Sequence, residues 1–147
     1  MGFHNFLPQF LKQKREELNQ NPELNNKKKE KISDFLVLLE CIWCISNKDY
    51  QEAIWLRNED PHIVDSYDDT IMYFGEDSKA VLEARSEGSI SMSKLQYTML
   101  KQLFNMVEKY DASLSRPDTD AEIIEDPKWH EIREYAKVVY QELIKEE

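Results

Sequence analysis

The segment Phe35-Leu-Val-Leu-Leu-Glu-Cys-Ile-Trp-Cys-Ile45 is eleven residues long and carries a single charge, Glu40. Crossing a bilayer as a helix takes about 18 to 20 apolar residues, so this run must be buried in protein rather than in lipid. Ile32, Phe35, Leu36, Leu39, Ile42 and Trp43 fall on one helical stripe, which Leu38, Cys41 and Ile45 widen. A helix apolar over so much of its circumference has to be touched from more than one side. The run therefore predicts the central helix of a helical bundle.

The remaining periodicities agree. Phe6, Phe10, Leu11 and Leu18 recur at helical spacing over 6–19, and Asn19-Gln-Asn-Pro22 ends that helix. The central helix is expected to begin near Pro22 or Asn25-Asn26 and to pass a solvated Lys27-Lys-Lys-Glu-Lys31 turn. Asn47 can cap a third helix, Asp49 to about Arg57, with Tyr50, Ala53, Ile54 and Leu56 inward and Trp55 at its edge. Ser66-Tyr-Asp-Asp69 matches a capping pattern for a helix from Tyr67 to Phe74 with Tyr67, Ile71 and Phe74 inward. Gly75 then either ends it, with a short helix following over Ser78 to Arg85, or interrupts one longer helix.

Ser93-Lys-Leu-Gln96 is a second capping box, ahead of Leu95, Met99, Leu103, Met106, Val107 and Tyr110. Ser113 to Asp126 reads as a surface loop in which Thr119 could start one turn. Asp126 as cap and Pro127 at the first helical position open a last helix cored by Trp129, Ile132, Ala136, Val139, Tyr140 and Leu143. Only Ile63-Val64 reads as an extended link. At 147 residues with 3 Gly and 5 Pro, the expected fold is a single all-α domain, 1–147, a bundle of about six helices.

Charge narrows function. The formal charge of -10 argues against gripping nucleic acid or an anionic membrane through phosphates. It is regional: Met1 to Lys48 holds 8 basic and 6 acidic residues, Asp49 to Gly88 holds 3 and 11, and Ser89 to Glu147 holds 8 and 12. The middle third combines Glu59, Asp60, Asp65, Asp68, Asp69, Glu76 and Asp77 with Trp55, His62, Tyr67 and Tyr73. Rings among acids are a mix that protein interfaces use, the ring for buried area and the acids to steer a basic partner. Asp65, Asp68 and Asp69 have a plainer use as well, since acids in a first turn complement the helix dipole.

Chemistry-bearing motifs are few. Cys41-x-x-Cys44 has the spacing of a zinc or redox pair, but it lies mid-helix in an apolar run and reads as two buried thiols. His4, His62 and His130 are scattered without ligand spacing. Asp65, Asp68 and Asp69 lack the Gly and terminal Glu of a calcium loop. No phosphate loop, nucleophile elbow or dinucleotide fingerprint occurs. The residues thus argue against an enzyme and for no cofactor; a helical metal-dependent enzyme or a helical adaptor is the alternative. The two cysteines are too few to staple a secreted domain, no basic leader precedes Lys12, and Phe6 stands where a myristoylation signal needs Ser or Thr, so a cytoplasmic home is expected.

Two segments carry a resemblance. Trp55-Leu-Arg-Asn-Glu-Asp-Pro-His-Ile-Val-Asp-Ser-Tyr-Asp-Asp-Thr-Ile-Met-Tyr-Phe-Gly-Glu-Asp77 and Leu95-Gln-Tyr-Thr-Met-Leu-Lys-Gln-Leu-Phe-Asn-Met-Val-Glu-Lys-Tyr-Asp111 resemble the small acidic immunity proteins of bacterial polymorphic-toxin and contact-dependent inhibition systems. The likeness rests on the acidic aromatic Asp65-Ser-Tyr-Asp-Asp69 helix start and the Leu-rich helix ending in Tyr110-Asp111. It implies a cytoplasmic protein that binds a cognate toxin domain, often a basic nuclease, and blocks its active site or substrate surface. The contact surface would be Glu59, Asp60, Asp65, Tyr67, Asp68, Asp69, Tyr73, Glu76 and Asp77.

Overall fold

The computed structural model describes residues 8–20 and 35–145, and these form helices and connecting turns without a strand. The fold class is all-α, as the periodicities predict. The elements are α1 (Gln9–Gln20), α2 (Leu36–Ser46), α3 (Lys48–Tyr50) running into a π-helical turn (Gln51–Leu56), α4 (Tyr67–Ser86), α5 (Lys94–Asp111), α6 (Asp120–Glu125) and α7 (Pro127–Leu143). Phe6, His4, the expected start of the central helix at 22–26 and the Lys27–Lys31 run lie outside the described residues. No described helix is long and apolar enough to cross a membrane.

Four helices close a ring: α2 packs on α4, α4 on α5, α5 on α7, and α7 back on α2. α1 lies against α2, while α6 and the π-helical turn pack together and α6 also meets α7. The central role of α2 follows from its composition. Leu36, Leu38, Leu39, Cys41, Ile42, Cys44 and Ile45 are all buried, and only Val37 and Trp43 reach the surface to any extent. Burying each such aliphatic side chain contributes about 1.5 to 3 kcal/mol. The one charge of the run is also buried, and Arg15 of α1 answers it: Arg15 Nε donates to Glu40 Oε2 at 2.7 Å and its Nη2 bonds the other carboxylate oxygen.

The caps lie where the sequence places them. Asn47 Oδ1 accepts from the Tyr50 amide at 2.7 Å, Ser66 Oγ from Asp69 at 3.1 Å, and Asp126 Oδ1 from Lys128 at 3.1 Å. Ser93 and Gln96 complete a reciprocal box, at 3.0 and 3.1 Å. Trp129, Ile132, Ala136, Val139, Tyr140 and Leu143 are all core residues.

Three expectations need correction, and the open choice at Gly75 is decided for one longer helix. Leu56 is exposed and Trp55 is buried, because Gln51–Leu56 winds with i→i+5 bonds such as Arg57 N to Glu52 O, which shifts the inward face off the α-helical phase. Gly75 does not end a helix: α4 runs unbroken for 20 residues, and Gly88, at φ 81°, is the left-handed residue beyond its end. Leu95 is exposed, since Gln96 takes the inward position and donates from Nε2 to Glu142 O at 2.9 Å, tying α5 to α7. The 113–126 loop is shorter than expected, with α6 occupying its second half behind a Thr119 cap.

A buried polar knot holds the end of the bundle where α2, the π-helical turn, α6 and α7 meet. Gln51, wholly buried, donates from Nε2 to Cys44 O at 2.9 Å and Ile45 O at 2.8 Å. Its Oε1 accepts from Trp129 Nε1 and Arg133 Nη1, both at 3.1 Å. Arg133 Nη2 also donates to Ile124 O at 3.2 Å. The Trp129 ring in turn lies 5.4 Å from Tyr67, 5.6 Å from Tyr110 and 6.1 Å from Trp55 between centroids, so the knot reaches the first residue of α4.

Candidate functional site

Helix α4 carries the site. Its inward stripe is Tyr67, Thr70, Ile71, Phe74, Ser78 and Val81, and the helical period turns Asp68, Met72, Tyr73 and Glu76 outward while Asp77 flanks the stripe, half-buried against Cys41 of α2. Asp68, Met72 and Glu76 follow one another at four-residue steps, and so do Asp69, Tyr73 and Asp77. Met72 is 49% exposed and Tyr73 50%. A pair of apolar side chains thus sits between two pairs of carboxylates, the pairs about 12 Å apart along the helix axis.

Asp68, Asp69 and Glu76 have no cation within ion-pair distance among the described residues. Asp77 is half-buried: desolvation, aided by Glu76, pushes its carboxyl up, and a bond from Cys41 Sγ at 3.5 Å opposes the shift. The cation further along α4, Lys79, lies 6.0 Å from the Phe104 ring centroid. Arg85 stacks on Tyr97 at 4.6 Å and fixes the far end of α4 to α5.

Beside this face, α4 and α5 leave a groove of about 260 Å³. Gly75 lies at its edge, and a Cβ there would meet nothing within 4 Å. Asp68, Met72, Glu76 and Lys79 of α4 face Glu108 and Asp111 of α5 across it, four carboxylates to one ammonium. Such a groove suits a guanidinium or ammonium side chain. No group of three or more His, Cys, Asp or Glu is placed to hold a metal ion among the described residues.

Two of the residues expected on the surface belong to the framework. Asp65 turns inward, accepting from Tyr50 OH at 2.5 Å, from Thr70 Oγ1 at 2.9 Å and from its neighbour Ser66 N at 2.9 Å. Burial raises its carboxyl pKa and these bonds pull against the rise. Tyr67 is 1% exposed; its hydroxyl donates to Asp111 at 2.9 Å and its amide to Asp120 at 3.2 Å. It is the first member of the inward stripe, so its helical phase decides its place.

Glu59 and Asp60 lie in the irregular link before α4, Glu59 paired with Arg57 and Asp60 accepting from His62 N at 2.9 Å. Asp68, Asp69, Tyr73, Glu76 and Asp77 are brought together on α4. Sequence reasoning missed Met72, which the four-residue step from Asp68 could have found, and Glu108 and Asp111, which only the packing of α5 on α4 brings in.

Cys41 and Cys44 are both free and buried, and burial pushes both thiols up, so neither is a thiolate at neutral pH. His62 and His130 are exposed and separate in sequence and element. Set against known proteins, the chain matches no family model, no curated protein and no solved structure.

Proposed function

We propose that the chain is an immunity-type binding protein that neutralises a basic toxin nuclease domain by covering it with the outer face of α4. It acts by occupation in the cytoplasm, without catalysis, cofactor or contact with nucleic acid or membrane of its own. The observation that carries this reading is the arrangement of Met72 and Tyr73 between the carboxylates of Asp68, Asp69, Glu76 and Asp77 on one rigid helix. A half-exposed ring anchors an interface because it buries much area at little entropic cost, and a flexible thioether beside it adapts to the partner's shape. Unpaired acids around them draw in a cationic surface and speed its encounter. A nuclease cleft built for phosphates is such a surface, and the groove between α4 and α5 can take one of its arginines or lysines.

The test is parallel capture from a lysate of the native host, on immobilised wild type and on D68K/E76K. The expected result is a basic nuclease domain held by wild type alone, whose activity falls when the free chain is added. Capture of the same proteins by both baits, or of no basic nuclease, overturns the reading.

A further inference from the structure

The chain as a whole is strongly acidic, yet one cavity gathers three cations in its lining. It measures about 670 Å³, within the range of small-molecule sites, and lies between α5 and α7 beside the loop that follows α5. Lys109 of α5, Arg116 of the loop and Lys128 of α7 line it. Neither Lys109 nor Lys128 has a carboxylate within ion-pair distance among the described residues.

Arg116 is held in place by several contacts: it pairs with Asp111, its guanidinium lies 5.1 Å from the Tyr67 ring centroid, and Nη1 donates to Pro117 O at 2.9 Å. Its Nε is buried without a hydrogen-bond partner among the described residues, the Asp111 carboxylate pairing with it only at 3.8 Å. The loop is fixed by Ser113, whose Oγ lies 2.9 Å from Ser115 Oγ and whose carbonyl accepts from Arg116 N at 3.3 Å.

Two acids share the lining, so three cations face two carboxylates and the site keeps a net positive charge. Asp126 accepts from Tyr110 OH at 2.7 Å and caps α7 through Lys128 N, and Glu131 forms no ion pair among the described residues. The rest of the lining includes Met106, the Tyr110 ring and Ile132, an apolar wall beside the cations.

We propose that this cavity is a second, independent binding site for a small organic anion, whose phosphate or carboxylate head lies among Lys109, Arg116 and Lys128 and whose apolar body rests on Met106, Tyr110 and Ile132. Three cations brought into one concave site repel one another, and an anion relieves that repulsion while supplying charge-assisted bonds. The site lies on α5 and α7 and makes no use of the outer face of α4, so it stands or falls apart from the proposed toxin binding.

Calorimetric titration at fixed ionic strength with phenyl phosphate, inorganic phosphate and phenol tests it, with methyl resonances of Met106 and Ile132 reporting location. Phenyl phosphate is expected to bind one to one and to shift both methyls, inorganic phosphate to bind more weakly, and phenol not to bind. K109Q/K128Q should weaken phenyl phosphate by at least about tenfold without moving the thermal transition, since both lysines are solvent-facing. E76K should bind as wild type does. Absence of saturable phenyl phosphate binding by wild type, unchanged affinity in K109Q/K128Q, or inorganic phosphate or phenol bound as tightly as phenyl phosphate each overturns the proposal.

Discussion

Replacing Gln51 by Leu tests the frame on which the α4 face depends. Gln51 satisfies two donors, Trp129 Nε1 and Arg133 Nη1, and two carbonyls, of Cys44 and Ile45. Leucine satisfies none of them. Trp129 and Arg133 are 0% and 3% exposed, so water does not replace the lost acceptor. An orphaned buried donor costs about 1 to 3 kcal/mol, and more for a charged group. Arg133 keeps its bond to Ile124 O and Cys44 O keeps a bond from Asn47 N at 3.5 Å, which limits the loss.

Leucine also gains some apolar transfer energy, so the net expectation is a loss of about 3 kcal/mol. A domain is stable by only about 5 to 15 kcal/mol, so this is a large fraction. Urea unfolding should show it as a midpoint about 1 to 2 M lower at an unchanged slope. Gln51→Leu combined with Trp129→Phe removes the orphaned indole N–H together with its acceptor, so the pair should be less costly than the two single changes added, by about 1 to 2 kcal/mol. A loss below about 1 kcal/mol in Gln51→Leu, or additive effects in the pair, refutes the reasoning that the knot is held by satisfied bonds.

Two further outcomes concern charge. Arg15→Met leaves the buried Glu40 carboxylate unanswered and should cost about 2 kcal/mol, while Arg15→Met with Glu40→Met should recover most of it in the same urea assay. Asp77 has its folded pKa raised by burial, so the native state takes up this proton at a higher pH than the unfolded chain and the burial penalty is relieved as pH falls toward the ordinary carboxylate value. Asp77→Asn should therefore gain stability relative to wild type at pH 7, and that gain should shrink between neutrality and about pH 4; a gap that widens on acidification contradicts the sign.

The helices were legible in the sequence where local chemistry decides them. Ser66, Ser93, Asn47 and Asp126 announce their caps because a short side chain reaches its own amide two or three residues on, whatever the rest of the chain does. Phase was legible only while the winding stayed α-helical, which is why Leu56 and Trp55 exchange places in the π-helical turn. Leu95 fails for a different reason: Gln96 is spent on a carbonyl 46 residues away, a partner that hydropathy cannot reveal.

The candidate face divides along the same line. Asp68, Tyr73 and Glu76 follow from helix period, whereas Asp65 is claimed by Tyr50 and Thr70 and Tyr67 by the aromatic cluster. The basic cavity was invisible in the sequence, because Lys109, Arg116 and Lys128 are spread over three elements and become neighbours only when α7 packs on α5.

The location of the interface can be read directly by carbodiimide footprinting of carboxylates in the free chain and in its complex with the captured nuclease domain. Asp68, Asp69 and Glu76 are expected to lose reactivity in the complex while Glu131 and Glu134, exposed on α7, react as before. Protection centred on α7, with the α4 carboxylates as reactive as in the free chain, would contradict it.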